Sequence, residues 1–194
     1  MNTRIHDSAD VSPEAEIGEG TQIWNNAQVR EGARIGGGCI IGKGAYIDKD
    51  VTLGANCKVQ NRASIYHGVT LEDGVFVGPH AVFANDRFPR AINPDGSTKS
   101  DSDWEVCPTH VGYGASIGAG AVVLPGVRIG AWALIAAGAV VTTNVRERAV
   151  VKGNPARFAG WACDCGRPLR MSESNEWQCA SCERVYQIDV SPHD

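Results

Sequence analysis

Two polar residues in the middle of the chain, His67 and Asn85, have side chains suited to acid–base chemistry and to orienting a substrate. A histidine titrates near neutral pH, so it can accept or relay a proton. Asn85 opens a polar segment that also carries Arg87 and Arg90. Guanidinium groups bind phosphate and carboxylate oxygens in a bidentate manner. These residues form a candidate catalytic site if the fold brings them together. Taken alone, His67 fits a solvated surface histidine better, and its predicted stacking with Asn85 is what favours a function.

A second candidate site lies near the end of the chain, where four cysteines occur as two close pairs. The pairs are Cys163 with Cys165 and Cys179 with Cys182, a pattern similar to a zinc ribbon. Four thiolates suit tetrahedral Zn²⁺ and leave no position for a substrate, so the predicted metal is structural. The first pair has one intervening residue, fewer than the two to four that are usual. The alternative is four unliganded thiols.

A six-residue repeat positions most of these residues. Apolar side chains recur at every sixth position from Ile5 to Phe83 and again from Val111 to Val141, and small side chains follow four residues later. No helix has this period, and a hexapeptide repeat is the signature of a parallel β-helix. Three hexads close one coil of eighteen residues, so residues eighteen apart stack about 4.8 Å from each other.

This spacing makes predictions about pairs of side chains. His67 and Asn85 should lie on adjacent coils at the same outward corner. Cys39 and Cys57 should stack inside as two reduced, buried thiols. Ala119 and Ala137 should stack outside, where small side chains leave the backbone open to a ligand.

The repeat is interrupted over about 84–110, and it ends after Gly160. A long loop extruded from a rigid scaffold is commonly functional, although a tolerated surface insertion is the alternative. We therefore expect a β-helix domain over 1–160 and a small zinc-ribbon-like tail over 161–194. Such a short tail needs a metal to fold.

Composition narrows the classes of partner. The net charge of −4 over 194 residues provides no basic surface for nucleic acid or an anionic membrane. The first residues lack the apolar region of a signal peptide, and no run is long enough to span a bilayer. We expect a soluble, cytoplasmic protein.

The repeat, together with several short motifs, resembles the hexapeptide-repeat nucleotide-sugar N-acetyltransferases. The likeness covers roughly residues 5–161 and is greatest to enzymes that acetylate the 3-amino group of UDP-2-acetamido-3-amino-2,3-dideoxyglucuronate or of dTDP-linked 3-amino hexoses. The motifs are Gln60–Tyr66, Gly68–Asp73, Gly78–Pro79, Asn85–Ala91 and Gly153–Arg157. The resemblance implies an all-β, left-handed parallel β-helix that forms a homotrimer, with acetyl-CoA bound between subunits, in surface-polysaccharide synthesis.

The resemblance also implies roles for individual residues. Asn85 corresponds to the asparagine that contacts the sugar amine, and His67 stands where relatives can carry an acidic residue. An imidazole lacks the charge that would hold an ammonium group, so His67 is expected to accept or relay the amine proton. The residues expected to contact the nucleotide-linked amino sugar are Gln60, Asn61, Tyr66, Asp86, Arg87 and Arg90. Those expected along acetyl-CoA are Ala119, Ala137, Lys152 and Arg157.

Two other classes of function compete. A γ-type carbonic anhydrase has the same fold and needs three zinc-binding histidines, for which His67, His80 and His110 are available near the solenoid. His67 and His80 are thirteen residues apart, so they fall at different positions of the hexad and do not stack. A non-catalytic scaffold is the other alternative, and it predicts no affinity for CoA.

Overall fold

A computed structural model describes residues 2–173 and 175–188. Each hexad forms a strand of two or three residues followed by a turn, because the apolar residue points inward and the residue before it points outward. Three hexads complete one coil, and equivalent strands of successive coils pair in parallel. The all-β, parallel β-helix architecture is confirmed, and it is consistent with the left-handed coil implied by the resemblance.

The coil has three faces. The first face contains β1 Arg4–Ile5, β4 Gln22–Ile23, β7 Ile40–Ile41, β10 Lys58–Val59, β13 Phe76–Val77, β16 Ser116–Ile117, β19 Leu134–Ile135 and β21 Ala149–Lys152. The second contains β2 Asp10–Val11, β5 Gln28–Val29, β8 Tyr46–Ile47, β11 Ser64–Ile65, β14 Val82–Phe83, β17 Val122–Val123 and β20 Val140–Val141. The third contains β3 Glu16–Ile17, β6 Arg34–Ile35, β9 Thr52–Leu53, β12 Val69–Leu71, β15 Thr109–Val111 and β18 Arg128–Ile129.

The core is the column of apolar side chains inside the coil. Ile41, Ile47, Ile65 and Phe83 are completely buried there. Ile5 belongs to the same pattern but is 44% exposed, because it lies in the first coil, which is covered on one side only. Burial of the repeat positions therefore depends on a coil stacking on each side.

The predicted stacking of the two internal cysteines is found. Cys39 and Cys57 are buried, unbridged thiols whose Sγ atoms lie 3.1 Å and 3.2 Å from the carbonyl oxygens of Gly54 and Glu72. Each thiol thus has its own backbone acceptor, which suits the reduced state.

The extruded loop occupies 84–108, between β14 and β15. Thr109 and His110, which we expected in the loop, belong to β15 because they pair with Val69 and Thr70 of β12. The loop contains a 3₁₀-helical turn, Asp101–Asp103, and an antiparallel bridge between Ile92 and Thr98.

The chain leaves the repeat through an antiparallel hairpin. Strand β22, Arg157–Trp161, pairs with β21 and extends the first face. A separate three-stranded antiparallel sheet follows, formed by β23 Leu169–Met171, β24 Trp177–Cys179 and β25 Val185–Tyr186. The division into a β-helix domain over 1–160 and a tail domain over 161–194 stays a prediction. The final residues of the tail, 189–194, lie outside the described residues. Within the described residues, no helix is long and apolar enough to cross a membrane.

Candidate functional site

His67 and Asn85 lie together at the corner between the second and third faces. The pairing of Ser64 with Val82 and of Ile65 with Phe83 places them at equivalent positions of adjacent coils. Both line a cavity of about 380 Å³. The other residues of its wall are Arg30, Asp48, Lys49, Asp101, Trp104 and Val106. The last three belong to the extruded loop, so the loop contributes one wall of the cavity.

Hydrogen bonding determines which ring nitrogen of His67 can take up a proton. Nδ1 lies 2.9 Å from the backbone carbonyl oxygen of Lys49. A carbonyl only accepts hydrogen bonds, so Nδ1 of the neutral ring carries the hydrogen and donates it, and Nε2 keeps its lone pair. The side chain is 27% exposed, which leaves it accessible from the cavity. His67 therefore has the tautomer of a general base acting through Nε2.

The carboxylate of Asp48, which is only 7% exposed, binds the backbone of both Lys49 and His67. Oδ1 accepts hydrogen bonds from the Tyr46 hydroxyl and the Lys49 N–H, both at 2.8 Å, and Oδ2 accepts one from the His67 N–H at 3.1 Å. Burial alone would raise the pKa of Asp48, but the backbone donors, Tyr46 and Arg30 together hold this pKa below its usual value. Asp48 is therefore a fully hydrogen-bonded anion at neutral pH.

The other charged side chains of the cavity form ion pairs. Arg30 lies 3.3 Å from Asp48, and Lys49 Nζ lies 3.6 Å from a carboxylate oxygen of Asp101. Hydrogen bonds to Tyr46 and Glu31 raise the pKa of Arg30 above its already high value, so it stays charged. The ion pair of Lys49 involves a carboxylate that is 91% exposed, and screening weakens such pairs. The Lys49 ammonium is thus the more available of the two cations.

The loop residues expected to contact substrate divide between two places. Asp86 and Arg87 line a second cavity of about 280 Å³ inside the loop, and Trp104 forms part of both cavities. Arg90 is exposed outside both, with Nη1 donating to the Pro89 carbonyl oxygen at 2.9 Å. The structure therefore groups Asp86 and Arg87 next to the Asn85 cavity but does not bring Arg90 into it.

Gln60 and Asn61 lie at another corner, between the first and second faces. They line a cavity of about 310 Å³ with Trp24 and Lys43, and Asn61 Oδ1 accepts a hydrogen bond from the Lys43 N–H at 2.9 Å. Within one subunit they do not share a cavity with His67. The remaining predicted residue, Tyr66, is adjacent to His67 and packs on Tyr46 with 5.5 Å between ring centroids.

The residues predicted along CoA follow the same corner as Asn61. Ala119 and Ala137 are both exposed, and the Gly138 N–H donates to the Ala119 carbonyl oxygen at 2.8 Å, as stacking requires. Lys152 and Arg157 are exposed and directly opposite each other across the β21–β22 hairpin. The hairpin therefore presents two adjacent cations, an arrangement suited to phosphate.

Sequence reasoning missed six of the eight residues that line this candidate cavity: Arg30, Asp48, Lys49, Asp101, Trp104 and Val106. A signal for Lys49 was present, because it lies eighteen residues before His67. Asp48 lies eighteen residues before Tyr66, and Arg30 lies eighteen residues before Asp48, so the same spacing indicated both. Trp104 carried no such signal, since it lies in the non-periodic loop.

The three histidines of the carbonic anhydrase alternative have separate environments. His67 donates to Lys49, and His110 Nε2 pairs with Glu72 at 2.8 Å. His80 is exposed. Across the described ranges, the cluster of potential metal ligands contains cysteines and no histidine. The carbonic anhydrase alternative is not supported.

That cluster consists of the four predicted cysteines, whose sulfur atoms all lie within 4.8 Å of one another. Cys163 and Cys182 are 3.4 Å apart, and Cys165 and Cys179 are 3.6 Å apart. Four thiolates around Zn²⁺ at about 2.3 Å would be about 3.8 Å apart, so the spacing fits. Backbone N–H groups of Cys182 and Ser181 lower the pKa of the Cys179 thiol to about 6, which favours its thiolate.

Comparison with known proteins gives the following matches. The family model described as bacterial transferase hexapeptide (six repeats) matches residues 14–49, 50–85 and 108–143. The hexapeptide repeat of succinyl-transferase matches 32–67. A curated relative, dTDP-3-amino-3,6-dideoxy-alpha-D-galactopyranose 3-N-acetyltransferase of Aneurinibacillus thermoaerophilus, is 37% identical over 81 residues, which are 42% of each chain.

Two solved structures are similar over most of this chain. PerB from Caulobacter crescentus, in complex with CoA and GDP-perosamine, is 29% identical with a TM-score of 0.52 and covers 82% of this chain. The acetyltransferase domain of PglB from Neisseria gonorrhoeae, with acetyl coenzyme A, is 24% identical with a TM-score of 0.52, covers 81% and agrees in fold. The chain spans 58% of the first of these structures, 57% of the second and 42% of the curated relative.

Proposed function

Because the chain belongs to the bacterial transferase hexapeptide family, we propose that it is a CoA-dependent N-acetyltransferase acting on an amino sugar linked to UDP or dTDP. The relative that acetylates a 3-amino group favours C3 as the position acylated. The observation that carries the proposal is the cavity at the loop corner, in which the lone pair of His67 Nε2 and the amide of Asn85 are available together. Surface-polysaccharide synthesis is the expected use of the product.

The chemistry is direct transfer. Asn85 orients the sugar amine, whose nitrogen attacks the thioester carbonyl carbon of acetyl-CoA. The new N–C bond forms, the nitrogen proton passes to His67 Nε2, and collapse of the tetrahedral oxyanion breaks the C–S bond. The CoA sulfur leaves as a thiolate and takes up the proton. A sugar amine needs no strong base, so positioning supplies much of the rate.

Acetyl-CoA is proposed to lie along the other corner, where Ala119 and Ala137 leave the backbone accessible. Its phosphates would meet Lys152 and Arg157, which are paired across the hairpin. This corner and the His67 corner form the two edges of the second face. A thioester bound at one corner therefore reaches the amine at the other only if two subunits meet.

A homotrimer would bring the two corners together from neighbouring subunits. The outward side chains of the second face include Val82, Val122 and Val140, whereas the third face presents Thr70, and other polar groups, to solvent. Packing the second faces around a threefold axis buries these valines and places the His67 corner of one subunit against the Asn61 corner of the next. This assembly would also bring Gln60 and Asn61 to the substrate.

The cysteine cluster is proposed to hold one structural Zn²⁺ through Cys163, Cys165, Cys179 and Cys182. Four protein ligands complete the tetrahedron, so the ion would take no part in the transfer. Reduced, unbridged thiols at Cys39 and Cys57 favour a cytoplasmic location.

The test is release of free thiol from acetyl-CoA, measured with UDP- and dTDP-linked 3-amino and 4-amino sugars. We expect turnover with at least one 3-amino sugar and a mass gain of one acetyl group on its amine. Turnover confined to 4-amino sugars would overturn the assignment to C3. Absence of CoA binding and of turnover across the panel would favour the non-catalytic scaffold.

A further inference from the structure

Asp48 has an environment that the proposed reaction does not by itself require. It is one of three polar or charged residues that are buried in the described part of the chain, the others being Thr21 and Thr109. Burying a carboxylate is costly unless donors surround it. Asp48 has its donors, and two of them are the backbone N–H groups of Lys49 and His67. These N–H groups belong to adjacent coils at the catalytic corner.

The two residues whose N–H groups Asp48 binds are those that orient the imidazole. One is Lys49, whose N–H donates to Oδ1 of Asp48 and whose carbonyl oxygen accepts the hydrogen from His67 Nδ1 at 2.9 Å. The other is His67 itself, and its N–H donates to Oδ2 of Asp48 at 3.1 Å. The carboxylate therefore fixes both the backbone from which the ring extends and the acceptor toward which Nδ1 points.

We infer that Asp48 is a positioning residue that holds His67 in the tautomer with the hydrogen on Nδ1 and the lone pair on Nε2. The inference rests on the proposed function for its catalytic meaning, but the tautomer is a property of the protein without substrate. Tyr46 and Arg30 support the role, since both contact Oδ1 and hold that oxygen in place.

A second carboxylate, that of the exposed Asp50, is the alternative determinant of the His67 tautomer. Its Oδ2 lies 3.7 Å from His67 Nδ1, beyond hydrogen-bond distance, and its side chain is 63% exposed. A carboxylate in that position is screened by water, and the closer Lys49 oxygen accepts the hydrogen instead. Asp48 and Asp50 thus make opposite predictions when each is changed to asparagine.

The experiment measures the ring tautomer by two-bond ¹H–¹⁵N correlation spectra of the ¹⁵N-labelled full chain, with His67→Gln identifying the His67 signals among five histidines. We expect the wild-type protein to show Nδ1 protonated and Nε2 unprotonated in the neutral ring. Asp48→Asn replaces one acceptor oxygen by an NH₂ group, so the backbone N–H of Lys49 or that of His67 loses its acceptor. The ring should then show a mixture of tautomers, while Asp50→Asn and the distant Asp10→Asn leave it unchanged.

Activity gives the second readout. Asp48→Asn should lower kcat about 10–100-fold, the cost of a misoriented catalytic group, with the KM for acetyl-CoA little changed. An Nε2-protonated ring in the wild-type protein would overturn the inference even if Asp48→Asn fails to fold. An unchanged tautomer in folded Asp48→Asn, or a changed one in Asp50→Asn, would also overturn it. Failure of every sugar in the transfer assay would leave these spectra intact and would count against the proposed function only.

Discussion

At the residue scale, the proposed role of His67 in proton transfer depends on the hydrogen bonds of its ring. Its chemistry depends on which nitrogen holds the hydrogen, and this is determined by the Lys49 carbonyl oxygen at 2.9 Å. Asn85 lies at the equivalent position one coil further along, so the two side chains line the same cavity. The loop tryptophan, Trp104, lines the same cavity.

Substitution tests these two roles separately. His67→Ala should lower kcat/KM about 10²–10⁴-fold, the usual contribution of a general base, and Asn85→Ala about 10²-fold through loss of orientation. The matched control is His110→Ala, because His110 is an outward residue of the third face, where it pairs with Glu72, and it does not line the cavity. Steady-state kinetics with the best sugar of the panel checks all three. Full kcat/KM in both His67→Ala and Asn85→Ala would show that the catalytic groups lie elsewhere.

At the element scale, the faces of the coil differ in what they present outward. Strands β14, β17 and β20 of the second face present valines in register, with Val82 pairing with Val122 and Val122 with Val140. Strands β9 and β12 of the third face present Thr52 and Thr70. The inward residues are alike on both faces, so the difference concerns contacts outside the coil. The core of an interface between identical subunits is more apolar than the rest of the surface, so the valine ladder favours the second face as the proposed interface.

A charge in the valine ladder tests the proposed trimer. Val122→Glu would bury an unpaired carboxylate in each subunit of the interface, which costs several kcal/mol per ion. We expect sedimentation velocity to show monomers, with transferase activity lost because the two corners separate. Thr70→Glu, an outward residue of the third face, should remain assembled and active. A Val122→Glu variant that assembles like the wild-type protein would exclude the second face as the interface.

At the scale of the whole molecule, the cysteine tail is joined to the end of the solenoid. Trp161 and Trp177 are in contact with 6.4 Å between ring centroids, and Arg148 pairs with Asp164 at 3.1 Å. Trp161 and Cys179 are buried in the same apolar cluster as the solenoid core. A metal that holds the cysteines together therefore also stabilises the cover over the last coil.

Removing one cysteine of the cluster tests whether metal binding stabilises the end of the solenoid. We expect the purified protein to contain about one equivalent of zinc per chain, and Cys179→Ser to lose it. The unfolding temperature should fall by at least about 5 °C, or ~2 kcal/mol for a chain of this size. Cys107→Ser is the matched control, because Cys107 lies in the loop outside the cluster. Elemental analysis finding less than about half an equivalent in the wild-type protein would contradict a resident zinc.

Periodic features of the sequence predicted most of the fold and part of the candidate site. The eighteen-residue spacing placed His67 beside Asn85 and Cys39 beside Cys57, because a stacked coil converts chain distance into spatial distance. The same spacing assigns Gln60 and His67 to different corners. Grouping them in one site therefore followed the family resemblance, and it holds only if two subunits meet.

The sequence by itself determined the coil, its register, the position of the interruption and the four cysteines that converge. Only the tertiary structure decided how the loop at 84–108 covers the corner, where Trp104 lies, and that β22 returns antiparallel along β21. It also showed the Lys49 carbonyl oxygen next to Nδ1 of His67, which sets the tautomer of the neutral ring. The physical reason is that stacking follows from a repeated local pattern, whereas loop placement and hydrogen-bond direction depend on contacts that no period encodes.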